Sequence, residues 1–98
     1  MLKLFKIEGF SLFPLLKEGE LVLCVKLYTF SKIKINDVVV FKHKNNGSMI
    51  KKVKKINENG YFVQGENPDS IDSRNFGELE KKELLYKVIF NFSTYKLM

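Results

Sequence analysis

Asp37-Val38-Val39-Val40-Phe41-Lys42-His43-Lys44-Asn45-Asn46-Gly47-Ser48-Met49-Ile50-Lys51-Lys52-Val53-Lys54-Lys55-Ile56 decides the fold. Its first seven residues are an apolar run of strand length, rich in β-branched side chains. Asn45-Asn46-Gly47 is a turn signal, and Ser48 to Ile56 reads as the hairpin partner. Alternation along that partner puts Met49, Lys51, Val53 and Lys55 on one face. Ile50, Lys52, Lys54 and Ile56 take the other. Lys51 thus has an apolar residue on both sides along its own face. Desolvation by such neighbours lowers a lysine's pKa from its ordinary ~10.4. A neutral amine can act as a general base. The competing reading is a solvated edge strand whose lysines discourage pairing with another chain.

Working outward, the period-two pattern continues. Leu21-Val-Leu-Cys-Val-Lys26 is a second strand-length apolar run. Asn57-Glu-Asn-Gly60 is a turn, Tyr61-Phe-Val-Gln64 returns as a strand, and Tyr86-Lys-Val-Ile-Phe-Asn-Phe92 closes. Gly65 to Gly77 is dense in Gly, Asn, Pro, Asp and Ser and reads as a loop. Glu78 to Glu83 allows one helical turn. The predicted class is mainly β, a small curled β-barrel of hairpins with at most one short helical turn near 78–84.

Composition sets the limits. Ninety-eight residues, 45% of them apolar, support a single domain over 1–98 and exclude general disorder. One cysteine, Cys24, cannot close an intrachain disulfide and reads as a core hydrophobe. His43 is the only histidine and reads as a surface residue. No Cys/His cluster has zinc spacing and no Ser-His-acid set is recognisable, so no metal or other cofactor is expected. The net charge of +6 would suit nucleic acid or an anionic membrane. However, the chain has no alanine and sixteen lysines to one arginine, a pattern of coding bias, so the charge is discounted. Met1 to Glu8 interleaves charge every third residue and is no targeting segment. No window approaches the ~18 apolar residues of a membrane span. The expected location is cytoplasmic.

Two more segments carry chemistry. In Glu8-Gly-Phe-Ser-Leu-Phe-Pro-Leu-Leu-Lys-Glu-Gly19 a serine lies on a tight bend. Gly9 before it permits unusual backbone angles, and Pro14 after it fixes φ. The bend can present the Ser11 hydroxyl and the Ser11 amide to one point; an ordinary serine-capped turn is the competing reading. Gly65-Glu-Asn-Pro-Asp-Ser-Ile-Asp-Ser-Arg-Asn-Phe-Gly77 holds the only arginine. Asp72 and Arg74 can pair there with charge-assisted hydrogen bonds, and the guanidinium fork suits that task.

Together these segments resemble the type I signal peptidases and their relatives. The relatives include the self-cleaving repressors of the DNA-damage response and the soluble maturation proteases of nickel superoxide dismutase, which are closest in size. The family's Gly-x-Ser-Met-x-Pro-Thr-Leu is met by Gly9, Ser11, Pro14 and Leu16, with Leu12 for Met and Leu15 for Thr. Gly19-Glu20 stands for a Gly-Asp. The family's Gly-Asp-Val-Val-x-Phe appears as Asn36-Asp37-Val38-Val39-Val40-Phe41, and its Ile-Lys-Arg-Val as Ile50-Lys51-Lys52-Val53. The last motif appears as Gly65-Glu66-Asn67, then Ser70, Asp72, Ser73, Arg74, Phe76 and Gly77. The match runs in order from Gly9 to about Val88.

The resemblance implies a serine endopeptidase with a Ser-Lys dyad. Ser11 would be the nucleophile, and Lys51, forty residues later, its general base. Ser70 would orient the lysine amine, and Asp72 with Arg74 would hold the loop. The Ser11 amide, with Gly9 and Pro14 shaping the bend, would form the oxyanion hole. The 98 residues contain no Ala-Gly or Cys-Gly bond of the kind that self-cleaving repressors cut, so the expected substrate is another polypeptide, cleaved in trans. Leu12, Phe13, Leu15 and Leu16 would form an apolar patch that binds substrate or touches a membrane surface. Two rivals stand beside this reading. One is a catalytically silent peptide-binding module of the same fold. The other is a basic β-barrel that binds nucleic acid through Lys51-Lys-Val-Lys-Lys55; no specific nucleic acid is expected as a partner.

Overall fold

β3 (Val38–His43) and β4 (Gly47–Asn57) form the antiparallel hairpin of the central stretch, from Val38 opposite Lys52 to His43 opposite Gly47. The computed structural model describes residues 1–6, 19–43, 47–58, 60–66 and 68–92. Four more strands complete a mainly β, wholly antiparallel sheet: β1 (Leu2–Lys6), β2 (Leu21–Lys26), β5 (Gly60–Gln64) and β6 (Leu84–Asn91). The strand order is β1-β2-β6-β3-β4-β5. The last strand in sequence therefore lies in the middle, between β2 and β3.

The unbroken apolar run Val38 to Phe41 has a simple cause. β3 is covered on both faces. Val39 and Phe41 join Leu27, Ile33, Val53, Val63, Leu79 and Leu84 in one cluster. Val40 joins Val22 and Cys24 in a second, with Phe5, Val38, Ile50, Tyr86 and Val88 packed against it. Phe41 is fully buried, and burying a side chain of that size is worth about 1.5–3 kcal/mol. Burial also pushes the Cys24 thiol up to about 11, so it stays a protonated hydrophobe at neutral pH.

The sheet corrects one expectation: among the described residues it is open, not a barrel. Its edges are β1 and β5, which do not pair with each other. The reason lies in what occupies the outer edge of β5. The amides of Tyr61, Val63 and Gly65 donate to the Leu79 carbonyl, Ser73 Oγ and Asp72 Oδ2 at 2.8, 2.9 and 2.9 Å. The chain from Asp72 to Leu79 thus takes the bonds that a closing strand would need, and it protects the edge. Gly60 begins β5 where a Cβ would sit 2.5 Å from the Leu79 carbonyl oxygen, so only glycine fits. Helical structure is minimal: a 3-10 turn at Lys81–Glu83, and a four-residue turn α1 (Ser73–Phe76) inside the segment read from sequence as loop.

Asn36 explains one motif position. Its φ is 80°, in the left-handed region. Asn and Gly are the residues that enter this region at little cost. Asp37 closes the same turn: its Oδ2 accepts from the Lys34 amide at 2.8 Å. Asn36→Gly should leave the urea midpoint unchanged or raised. Asn36→Val should lower stability by about 1–2 kcal/mol, the cost of a side chain forced into that region.

Candidate active site

Lys51 lies on β4 opposite Val39 of β3. It is buried, 3% exposed, on the face that carries Met49 and Val53. A buried lysine needs a partner or a lowered pKa. Among the described residues its amine has neither a hydrogen-bond nor an ion-pair partner. Burial moves its pKa down; the negative charge of Asp72 opposes this, and the positive charge of Arg74 adds to it. The neutral amine is accordingly favoured relative to a solvated lysine.

Asp72 would be the natural counter-ion, but its carboxylate is already saturated. Oδ1 accepts from the Arg74 amide at 3.0 Å and from Arg74 Nε at 2.9 Å. Oδ2 accepts from the Gly65 amide, Ser70 Oγ and Arg74 Nη2 at 2.9, 2.9 and 2.7 Å. Asp72 is fully buried. Burial alone would raise its pKa; the Arg74, Gly65 and Ser70 hydrogen bonds outweigh burial and hold it far below the usual carboxylate range. The guanidinium fork grips both oxygens, a geometry that an ammonium cannot copy. One arginine among many lysines thus satisfies the carboxylate beside Lys51.

The local sequence builds this arrangement. Asp72 is the N-cap of α1, and Asn75 completes a capping box by accepting from the Asp72 amide at 3.1 Å. Ser73 is buried and accepts from Val63. Phe76, at the end of α1, packs edge-on against Phe41 and stacks on His43 at 4.4 Å. The turn is therefore pinned at both ends over the face that carries Lys51. Sequence reasoning missed Gly65, Ser73 and Asn75 as supports. The Asp-x-x-Asn spacing of 72 to 75 was the available signal for a cap.

Ser70, Asp72 and Arg74 form one cluster. Ser70 Oγ donates to Asp72 and accepts from Arg74 Nη2 at 3.2 Å. Gly9, Ser11, Leu12, Phe13, Pro14, Leu15 and Leu16 lie outside the described residues. β1 ends at Lys6 opposite Leu21.

The lysine run behaves residue by residue. Lys52 and Lys54 approach Glu66 Oε2 at 3.1 and 3.8 Å, and the Lys52 hydrogen bond draws the Glu66 pKa down. A register shift between Val53 and Lys55 then breaks the alternation. It brings Lys55 opposite Phe62, with its Nζ 5.9 Å from that ring. The run therefore does not present a row of solvated ammonium groups.

Among the described residues no helix is long and apolar enough to cross a membrane. None of their His, Cys, Asp and Glu side chains gather in threes as a metal site would need. The model of one protein family, described as Peptidase S24-like, matches residues 1–89, most of the chain. No curated protein matches it.

Proposed function

We propose that this chain, which belongs to the Peptidase S24-like family, is a single-domain serine endopeptidase that cleaves another polypeptide with Ser11 and Lys51. The observation that carries the reading is Lys51: buried, unpaired among the described residues, and shifted toward its neutral form. Such an amine is expensive to keep in a small fold unless it serves a purpose.

In this mechanism the neutral Lys51 amine takes the Ser11 hydroxyl proton as the serine oxygen attacks the scissile carbonyl carbon. The Ser11 amide donates to the oxyanion, on a bend shaped by Gly9 and Pro14. Collapse of the tetrahedral intermediate breaks the C–N bond, and the Lys51 ammonium returns its proton to the leaving amine. Water then attacks the acyl-enzyme carbonyl carbon and gives its proton to Lys51; the ester C–O bond breaks, the acid product leaves, and the Lys51 ammonium returns the proton to the serine oxygen. Asp72 and Arg74 fix the turn beside the amine, and Ser70 is the proposed orienting hydroxyl. Leu12, Phe13, Leu15 and Leu16 are the proposed apolar contact for substrate or a membrane surface. The absence of an Ala-Gly or Cys-Gly bond within the 98 residues favours action in trans.

A covalent serine probe followed by peptide mass mapping tests the reading. The adduct should fall on Ser11 and be absent in Ser11→Ala and Lys51→Ala. Ser11→Ala should also abolish cleavage of a peptide library while the thermal melt stays unchanged. An adduct elsewhere, or wild-type cleavage by Ser11→Ala, would remove Ser11 from the mechanism.

A further inference from the structure

Past the end of β2 the chain makes a tight turn, Tyr28-Thr29-Phe30-Ser31. The Tyr28 amide donates to Ser31 Oγ at 2.9 Å, and the Ser31 amide donates to the Tyr28 carbonyl at 3.0 Å. From the 3-10 turn, the Lys81 ammonium donates to the carbonyl oxygens of Thr29 and Ser31. Four hydrogen bonds from three donor groups hold these residues in one shape. The shape holds a phenylalanine out in water: Phe30 is 81% exposed. A loose loop could fold such a ring away, but a tied one keeps it presented.

The Phe30 ring stacks on Tyr28, centroids 5.4 Å apart and planes 4° from parallel. Lys26 Nζ lies 5.6 Å from the Tyr28 centroid. Beside the rings opens a cavity of about 560 Å³, lined by Lys26, Tyr28, Phe30, Lys81, Lys82 and Tyr86 among others. Lys82 has only an exposed contact to Glu80 at 3.4 Å, and such exposed pairs are weak.

We propose that this turn and cavity bind single-stranded nucleic acid, with a base stacked on Phe30 and phosphates met by Lys26 and Lys82. Parallel rings offer a flat surface, and every base has a flat face to lay on it. The surrounding ammonium groups complement a phosphodiester chain. An acidic peptide would satisfy the lysines but not the flat face. A bilayer takes an apolar wedge, whereas the rings here stack in parallel beside a cavity whose lining mixes Lys26, Lys81 and Lys82 with Leu27, Leu84 and Leu85. Stacking and phosphate contact read no sequence, so no specific nucleic acid would be selected. The turn follows the end of β2 away from Leu21, and the proposal does not rest on the peptidase reading.

Fluorescence anisotropy of a labelled oligodeoxythymidine tests it. Binding should be present at about 50 mM salt and fall steeply by about 200 mM. Phe30→Ala should weaken it about tenfold, while Phe30→Trp should retain it. Lys26→Ala and Lys82→Ala should each reduce the salt slope by a little under one. Ile89→Ala, exposed elsewhere on the sheet, should change nothing. Thermal melts control for folding, and if Phe30→Ala unfolds the two lysine variants carry the test. No binding at about 50 mM salt, binding that Phe30→Ala leaves intact, or equal affinity for duplex DNA would overturn the proposal. Phe30-dependent binding to phosphatidylglycerol vesicles without oligonucleotide binding would overturn it in favour of a membrane surface.

Discussion

Lys51→Arg should lose peptide cleavage as completely as Lys51→Ala, about 10²–10⁴-fold in kcat, the contribution expected of a positioned general base. Lys52→Ala should keep most of the activity. The contrast follows from adjacent residues on one strand. Lys51 is buried on the face of Val53, whereas Lys52 reaches Glu66 across the other side. Arginine keeps the charge but stays protonated, so it cannot accept a proton from serine. An anion-binding role would give the reverse, with arginine rescuing and the two lysines contributing alike. The rate should rise with pH through the lowered value of the Lys51 amine, because only the neutral form works. Stability should follow the same sign. Between that lowered value and the ordinary 10.5, the unfolded chain binds the proton and the native chain does not. The native state therefore gains on the unfolded one as pH rises through that window. A flat rate profile from about pH 6 to 10, or an active Lys51→Arg protein, would reduce Lys51 to a buried structural lysine.

Asp72→Ala should cost about 3–5 kcal/mol, the usual result of removing one partner of a buried ion pair. Against the ~5–15 kcal/mol that holds a domain together, much of the population would unfold. The substitution strands the amides of Gly65 and Arg74, the Ser70 hydroxyl and the guanidinium together. Asp72→Asn should cost less, since one oxygen still accepts while the new amide opposes donors. The pH dependence distinguishes charge from shape. With its native pKa held far down, Asp72 contributes fully above the ordinary carboxylate range. That contribution fades only as pH falls toward the native value. Urea midpoints taken through the acid range should therefore fall with pH in the wild type and flatten in Asp72→Asn. Equal slopes would assign the effect to packing alone. Removing the Asp72 charge also removes the influence that raises the Lys51 pKa, so the activity of the folded fraction should move to lower pH.

The parts of the fold legible in sequence were those with strong local patterns. Five of the six described strands stand out as apolar runs or, for β4, as an alternating stretch between two turn signals. β1 did not, because Lys3 and Lys6 break its apolar run and, as an edge strand, it leaves Leu2 and Leu4 exposed. Its Lys3 ammonium instead lies 5.1 Å from the Phe5 ring and 5.7 Å from Tyr86. Alternation placed Lys51 correctly between Met49 and Val53 but misplaced Lys55, since a bulge leaves no mark in a lysine-rich run. The open sheet was hidden for a related reason. Whether β5 meets another strand depends on where Ser73, Asp72 and Leu79 send their polar atoms, and these are contacts of tertiary structure. Lys51 and the Asp72–Arg74 pair could be singled out from residue chemistry, whereas the division of labour between them could not. That Arg74 occupies both carboxylate oxygens, and so leaves the lysine without a partner among the described residues, is a matter of angles and distances.

The central position of β6 sets the order of events during synthesis. β2 and β3 each need β6 as a neighbour, and it is the last made of the six described strands. Until residue 91 has left the ribosome, β2 and β3 lack the strand that lies between them in the folded sheet. Each exposes an edge that accepts any extended segment, including another copy of β6 from a neighbouring chain. Assembly is then a single insertion event that joins the two halves, and the second cluster, which spans Cys24, Val40 and Val88, forms only at that moment. A nascent chain stalled before Leu84 should remain protease-sensitive throughout, whereas one released past residue 91 should acquire protection in one step.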